Sequence, residues 1–265
     1  MSRLSGEQVK IGYGDSTIIN NLDVAIPDGK VTSIIGPNGC GKSTLLKALS
    51  RLLSIKEGRI NLDGKSIHAT STKEIAKKIA ILPQSPEVPD GLTVGELVSY
   101  GRFPHQKGFG RLTAEDKKEI GWALSVTGTS EFRHRTINDL SGGQRQRVWI
   151  AMALAQRTDI IFLDEPTTYL DICHQLEILN LVKKLNEEEG CTIVMVLHDI
   201  NQAIRFSDHL ITMKAGDIVA TGQTEEVLTK DILEKVFNID GVLDIDPRTG
   251  KPILVTYDLF CQTYS

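Results

Sequence analysis

Residues 36–44, GPNGCGKST, constrain the fold more than any other part of the chain. They fit the pattern G-x-x-x-x-G-K-[ST], follow a short β-branched run at 30–35 and precede an apolar helical segment at 43–53. Glycines in such a loop let backbone N–H groups converge on phosphates, and the helix start adds partial positive charge. A strand, a phosphate loop and a helix in this order open an α/β unit.

Two side chains of this loop have predicted roles toward a bound nucleotide. Lys42 is predicted to reach the β- and γ-phosphates, and Ser43 is predicted to ligate Mg²⁺. An ordinary glycine-rich turn is the alternative interpretation, and the flanking strand and helix argue against it.

Residues 160–166, IIFLDEP, form an apolar predicted strand that ends in two carboxylates. Asp164 is predicted to hold Mg²⁺ through water. Glu165 is the better general base, because one residue past a buried strand it can point at a water in line with the γ-phosphate. A surface acidic pair is the alternative, and it would be preferred if the phosphate loop were absent.

Three further residues give weaker signals. Gln84 follows a short apolar run and could orient a water or ligate Mg²⁺, while His198 ends a predicted strand and could contact the γ-phosphate. Tyr13 lies between two glycines and could stack on a base. The ordinary alternative is a polar loop residue for Gln84, a structural histidine for His198 and a minor core aromatic residue for Tyr13.

A second candidate anion site lies at residues 139–148, DLSGGQRQRV, where a serine and two glycines open a predicted helix. The phosphate loop is already complete about a hundred residues earlier. The sequence therefore poses the question of which phosphate the second site would bind.

Composition and charge exclude several classes of protein. The chain has 265 residues, 40% of them hydrophobic, and a net charge of −4, which argues against nucleic-acid binding through a basic face. No apolar run approaches the ~20 residues of a membrane span, and residues 1–15 lack a secretion signal. The four cysteines form no CxxC pair, so we expect reduced thiols in a cytosolic protein whose membrane role is peripheral.

The pattern along the chain predicts one α/β nucleotide-binding domain over residues 1–225. Short strands and turns are predicted over 1–30, and a helical insertion over about 87–156. Hairpins are predicted at 58–67, with Asp63-Gly64 in the turn, and at 212–217. Residues 226–265 are predicted to add a short extension of one helix and a hairpin.

Several motifs occur in the order found in ATP-binding-cassette (ABC) ATPases, which the chain resembles over about residues 5–225. They are Gln84, LSGGQ at 140–144, LDE at 163–165, YLD at 169–171 and His198. The resemblance implies a P-loop, RecA-like core with an antiparallel β subdomain and a helical insertion, and it implies ATP and Mg²⁺ as cofactors.

The resemblance also assigns roles residue by residue. It implies that Tyr13 stacks on adenine, Gln84 senses Mg²⁺ and the attacking water, and His198 holds the γ-phosphate. Asp164 would hold Mg²⁺ and Glu165 would be the base. The phosphates would be bound by Gly36, Pro37, Asn38, Gly39, Cys40, Gly41, Lys42, Ser43 and Thr44.

In the ABC family, LSGGQ binds the γ-phosphate of an ATP held by the other subunit. Ser141, Gly142, Gly143 and Gln144 would therefore act across an ATP-dependent head-to-tail homodimer, and Asp171 would lie at the junction. This implication answers the question of the second phosphate.

Three stretches, 91–106, 140–156 and 163–179, and the tail after residue 231 are similar to ATPases of ferric-siderophore importers, in particular the ferric hydroxamate type of Gram-positive bacteria. This resemblance implies a peripheral position on the cytoplasmic side of the cell membrane. The implied partners are integral-membrane permease subunits, contacted by the segment after Gln84, and indirectly an extracellular substrate-binding lipoprotein. No nucleic-acid partner is expected.

Other interpretations remain. The first is an importer ATPase for cobalamin, haem or ferric citrate. The second is a soluble ABC ATPase of iron–sulfur cluster assembly, whose signature typically reads SGGE before lysines, or one acting on DNA. Residues 45–139 contain neither heptads nor cysteine pairs for a DNA-acting member. The third is a P-loop kinase, which leaves LSGGQ and His198 unexplained.

Overall fold

The computed structural model describes residues 2–84, 91–106 and 111–260. The chain divides into two compact units, one formed by Met1–His68 with Val194–Ser265 and the other by Ala69–Ile193. The limits predicted from sequence, a domain over 1–225 with an insertion at about 87–156 and an extension at 226–265, stay predictions.

The first unit contains a four-stranded antiparallel sheet of order β2-β1-β4-β5. Its strands are β1 (Ser2–Tyr13), β2 (Ser16–Pro27), β4 (Glu57–Leu62) and β5 (Lys65–Ser66). Residues 2–27 thus form two long strands, whereas the sequence predicts short strands over 1–30. The predicted turn at Asp63-Gly64 is confirmed, since both residues have positive φ (52° and 74°), as a two-residue hairpin turn requires.

The same unit contains the strand that leads into the phosphate loop, β3 (Val31–Ile35). This strand pairs in parallel with β9 (His209–Lys214), which pairs in antiparallel fashion with β10 (Asp217–Gln223). All five residues of β3 are buried, as expected of a parallel strand covered on both faces. The helix α1 (Lys42–Leu49) follows the loop and ends four residues before the predicted limit, because Arg51 takes a left-handed φ of 64°.

The C-terminal residues of the first unit, as far as the structure describes them, form three short α-helices, a π-helical turn and a hairpin. Their elements are α7 (Ile200–Phe206), α8 (Thr224–Val227), α9 (Lys230–Ile232), a π-helical turn (Leu233–Phe237), β11 (Ile239–Ile245) and β12 (Pro252–Leu259). The single helix predicted over 226–237 is broken, because the Thr229 hydroxyl accepts the Ile232 N–H and starts a new helix. The predicted hairpin is confirmed by the antiparallel pairing of β11 with β12.

The second unit combines two parallel strands with helices. Its elements are α2 (Thr72–Ala76), β6 (Ile79–Leu82), α3 (Val94–Tyr100), α4 (Ala114–Val126), α5 (Gly142–Ala155), β7 (Ile160–Asp164) and α6 (Ile172–Glu189). Helices α3, α4 and α5 pack against one another. The predicted helical stretch therefore contains three α-helices in the part that the structure describes, and residues 87–90 and 107–110 lie outside it.

Helix starts in this unit are fixed by their own sequence. Thr93, Thr113 and Ser141 each cap a helix and form a capping box with the residue three positions on. A buried ion pair joins Arg102 to Asp116 at 2.8 Å and ties the end of α3 to the start of α4. Strand β8 (Thr192–Val196) contains the division between the two units. No helix among the described residues is long and apolar enough to cross a membrane.

Candidate functional site

The glycines of the phosphate loop are required by its backbone. A Cβ on Gly36 would lie 2.2 Å from the carbonyl oxygen of Met213, and φ at Gly36 is +154°. Gly41 caps α1 with a φ of 105°, which side-chain-bearing residues rarely adopt. Because this cap has no side chain, nothing from the capping residue covers the N–H groups of the first turn. The loop thus has the form of an anion site at a helix start.

Lys42 lies over this loop. Its Nζ donates hydrogen bonds to the carbonyl oxygens of Gly36 at 2.9 Å and Pro37 at 3.0 Å, and the residue is only 5% exposed. The lysine charge is therefore held at the loop rather than in solvent. The neighbouring Cys40 thiol is buried, and desolvation raises its pKa, although the positive charge of Lys42 acts in the opposite direction.

Tyr13 and His198 belong to the same unit as the loop. Tyr13 ends β1 and is 48% exposed, so its ring is not a core aromatic residue. His198 is exposed and follows Leu197, whose N–H donates to the Ile34 carbonyl at 3.3 Å. His198 therefore follows β8 at the edge where the phosphate loop leaves β3.

The second unit brings Gln84 to the acidic pair. Leu82 pairs with Leu163 in the parallel register of β6 and β7, so the residues after both strands lie at one edge. The Gln84 side-chain amide donates to Oε2 of Glu165, and the Thr168 hydroxyl donates to the same oxygen at 3.1 Å. Asp164 ends β7 and is 2% exposed.

Glu165 has a φ of 53°, which is left-handed and uncommon for a residue with a side chain. Such strained backbone is concentrated at functional sites. The structure thus places two predicted site residues, Gln84 and Glu165, in direct contact.

The helix start at Ser141 is a complete capping box. The Ser141 Oγ accepts the N–H of Gln144 at 3.3 Å, and the Gln144 Oε1 accepts the N–H of Ser141 at 3.1 Å. Gly142 is exposed, whereas Gly143 is buried against the imidazole of His174. A Cβ on Gly143 would lie 2.4 Å from Cδ2 of that ring, so any larger residue requires the ring to shift.

Asp171 connects to this helix start through the same histidine. Asp171 caps α6 by accepting the N–H of His174 at 2.9 Å, and its Oδ2 lies 2.7 Å from Nδ1 of the ring. These contacts, the bond from the His174 N–H first among them, lower the pKa of Asp171. One imidazole thus touches both Asp171 and the Gly143 backbone.

Sequence reasoning missed two residues of this site, Thr168 and His174. Each had a local signal. Thr168 occupies the last position of the turn sequence Glu-Pro-Thr-Thr, and Asp171-x-x-His174 has the spacing of a helix cap.

The glycine loop with its lysine, followed along the chain by a buried strand that ends at Asp164 and leads into Glu165, defines a nucleotide-hydrolysing protein of the P-loop class. Residues 19–168 match the family described as ABC transporter, and the chain belongs to that family. It is an ATPase that binds ATP and couples its hydrolysis to transport across a membrane.

Relatives extend over nearly the whole chain. The iron(3+)-hydroxamate import ATP-binding protein FhuC of Bacillus subtilis is 60% identical over 98% of this chain and 96% of its own length. The ferric enterobactin transport ATP-binding protein FepC of Escherichia coli is 48% identical over 96% of this chain and 94% of its own.

A solved structure agrees with the fold. The dimeric, post-hydrolysis structure of the ATP-binding cassette MJ0796 with ADP and Pi is 33% identical, with a TM-score of 0.72. It covers 83% of this chain and 98% of its own.

Proposed function

We propose that this ATPase drives import of ferric siderophores, in particular ferric hydroxamates, through a partner permease. The support is the 60% identity to a hydroxamate import protein, which exceeds the 48% identity to the enterobactin protein over similar lengths. The same relatives favour this cargo over cobalamin, haem or ferric citrate, and an importer over a soluble ATPase or a kinase.

Glu165 is the proposed general base of ATP hydrolysis. The observation that carries this role is the fixed carboxylate: Gln84 and Thr168 both donate to its Oε2, directly after the buried Asp164. A base held in one orientation can accept a proton from a water in line with the γ-phosphate. Gln84 would help to orient that water, and His198 would contact the γ-phosphate.

The proposed Mg²⁺ ligands are the Ser43 hydroxyl, the Gln84 amide oxygen and the Asp164 carboxylate. All are oxygen donors, which suit this hard cation, and the bond from Gln84 Nε2 to Glu165 uses the nitrogen of the amide rather than its oxygen. Among the described residues no three His, Cys, Asp or Glu side chains form a metal cluster. Mg²⁺ usually keeps several waters and binds substrate phosphates, and these would complete the coordination here. The ion would neutralise charge on the phosphates.

The remaining site residues divide between nucleotide binding and dimer formation. Residues 36–44 would bind the phosphates and the exposed Tyr13 would stack on adenine. Ser141, Gly142, Gly143 and Gln144 would bind the γ-phosphate of ATP held by a second copy, with Asp171 at the junction. The MJ0796 cassette is a dimer in its structure, which supports dimer formation here.

The partners follow from the importer proposal. Integral-membrane permease subunits would hold the ATPase at the cytoplasmic face of the cell membrane, and a substrate-binding lipoprotein would act indirectly through them. The segment after Gln84, proposed for permease contact, includes residues 85–90, which lie outside the described part of the chain.

The test is affinity purification of the tagged Glu165→Gln chain from membranes in mild detergent with Mg-ATP. Glutamine keeps the size of the side chain but cannot act as the base, so ATP stays bound while turnover falls by about 10³-fold or more. We expect a multi-span permease and an iron-complex receptor to co-purify, identified by mass spectrometry.

A Lys42→Ala chain is the matched control, since it lacks the proposed phosphate ligand and should not hold the ATP-bound state. If the purification recovers only soluble proteins while ATP still dimerises the Glu165→Gln chain, the proposed cargo and the proposed permease partner are both wrong.

A further inference from the structure

We infer that Thr168 is a positioning residue that orients the Glu165 carboxylate for its work as the base. This inference rests on the proposed role of Glu165. Neither LDE at 163–165 nor YLD at 169–171 includes this threonine, and it is not among the predicted site residues.

The contact between the two residues follows from a tight turn. The N–H of Thr168 donates to the carbonyl of Glu165 at 3.3 Å, which closes a four-residue turn over residues 165–168. Pro166 occupies the second position, where its fixed φ favours such turns. The turn brings the fourth side chain back over the first, and the Thr168 hydroxyl donates to Oε2 of Glu165 at 3.1 Å.

The Thr168 bond converges with a bond from Gln84 on the same oxygen. Gln84 donates to Oε2 from the end of β6, whereas Thr168 donates from the turn after β7. Two donors from different elements therefore restrain the position of this oxygen.

This orientation matters because proton transfer depends on the geometry of base and water. Displacement of about 1 Å can lower a rate a hundredfold. The backbone of Glu165 adds its own cost, since a φ of 53° is unfavourable for a side-chain-bearing residue and the turn must hold it there. The Thr168 hydroxyl belongs to that turn, so the same turn holds both the strained backbone of Glu165 and its carboxylate.

The experiment compares ATP turnover of the full chain with that of Thr168→Val and Thr168→Ser chains, together with equilibrium ATP binding. Valine keeps the branched shape and removes the donor, so we expect kcat to fall about tenfold while KM and ATP affinity stay within about twofold. Serine restores the hydroxyl and should return kcat to within about threefold of the parent chain. Thr158→Val removes a hydroxyl that bonds the Ile160 carbonyl before β7, and it should leave kcat unchanged.

Three results would overturn the inference or its basis. If the Thr168→Val chain has the kcat of the parent chain while the Glu165→Gln chain is inactive, Thr168 does not orient the base. The role of Glu165 as the base would still be supported. A fall in kcat that serine does not restore, with a matching loss of thermal stability, would assign Thr168 a merely structural role. Full turnover by the Glu165→Gln chain would instead refute the proposed base itself.

Discussion

The cysteines of this chain differ sharply in their surroundings. Cys40 lies in the phosphate loop and is buried, and its pKa is raised because burial disfavours the thiolate. Burial raises the pKa of Cys191 to about 11, whereas Cys173 is exposed. Since the thiolate is the reactive form, we expect the buried Cys40 and Cys191 to react more slowly than the exposed Cys173.

Alkylation of Cys40 therefore reports on the phosphate loop. In a Cys173→Ser, Cys261→Ser chain, we expect maleimide to react slowly with Cys40 at pH 7 and faster as pH rises, since a raised pKa moves thiolate formation to higher pH. ATP should slow this reaction at least fivefold, and the adduct should block ATP binding. Mass spectrometry of a time course measures both effects. An ATP-independent rate, or an alkylated chain that binds ATP normally, would contradict the assignment of the loop.

At the scale of elements, local patterns predicted most of what was found. The strand before the phosphate loop, the strand ending in Asp164 and the Asp63-Gly64 turn depend on neighbouring residues, and sequence reasoning placed them correctly. The break at Thr229 was missed because a threonine can lie inside a helix as well as cap one.

Contacts between distant residues could not be predicted in this way. His174 lies 31 positions after Gly143, so the packing of its ring on the glycine depends on how α5 and α6 meet. The left-handed Glu165 also escaped prediction, since residue preference alone would assign that conformation to glycine or asparagine.

The contact between Gly143 and His174 predicts an asymmetry between two adjacent glycines. Gly143→Ala places a Cβ 2.4 Å from the His174 ring and should cost about 1–3 kcal/mol, a fall in Tm of several degrees. Gly142→Ala meets only Leu170 at 3.7 Å and should leave Tm unchanged or slightly raised.

Calorimetry of both variants tests this asymmetry. Adding His174→Ala to Gly143→Ala should recover part of the loss, because the clashing ring is gone. Equal Tm values for the two alanine variants would show that the ring does not restrict Gly143.

At the scale of the whole molecule, two helix starts among the described residues have the form of an anion site, and they belong to different units. The phosphate loop precedes α1 in the first unit, and Ser141 caps α5 in the second. In the proposed dimer, each ATP would be bound by the phosphate loop of one copy and by the Ser141 helix start of the other.

Ser141→Asp should separate folding from dimerisation. Aspartate caps a helix as well as serine does, so the fold should persist, but its charge repels a phosphate. In the Glu165→Gln background we expect normal ATP affinity and loss of the ATP-driven dimer in light scattering. Ser141→Thr keeps the hydroxyl and should still dimerise, and a dimer of the aspartate chain would refute the role of Ser141.

The bond between Gln84 and Glu165 also has a mechanical meaning. It joins residues 81 positions apart, and Gln84 is the last described residue before 85–90. A pull on the chain after Gln84 would draw its amide away from Oε2, while the short turn at Thr168 would keep its own hold on the carboxylate. The base thus has one support after the end of β6 and one in the turn after its own strand, so displacement of Gln84 alone would rotate the carboxylate about its bond to Thr168.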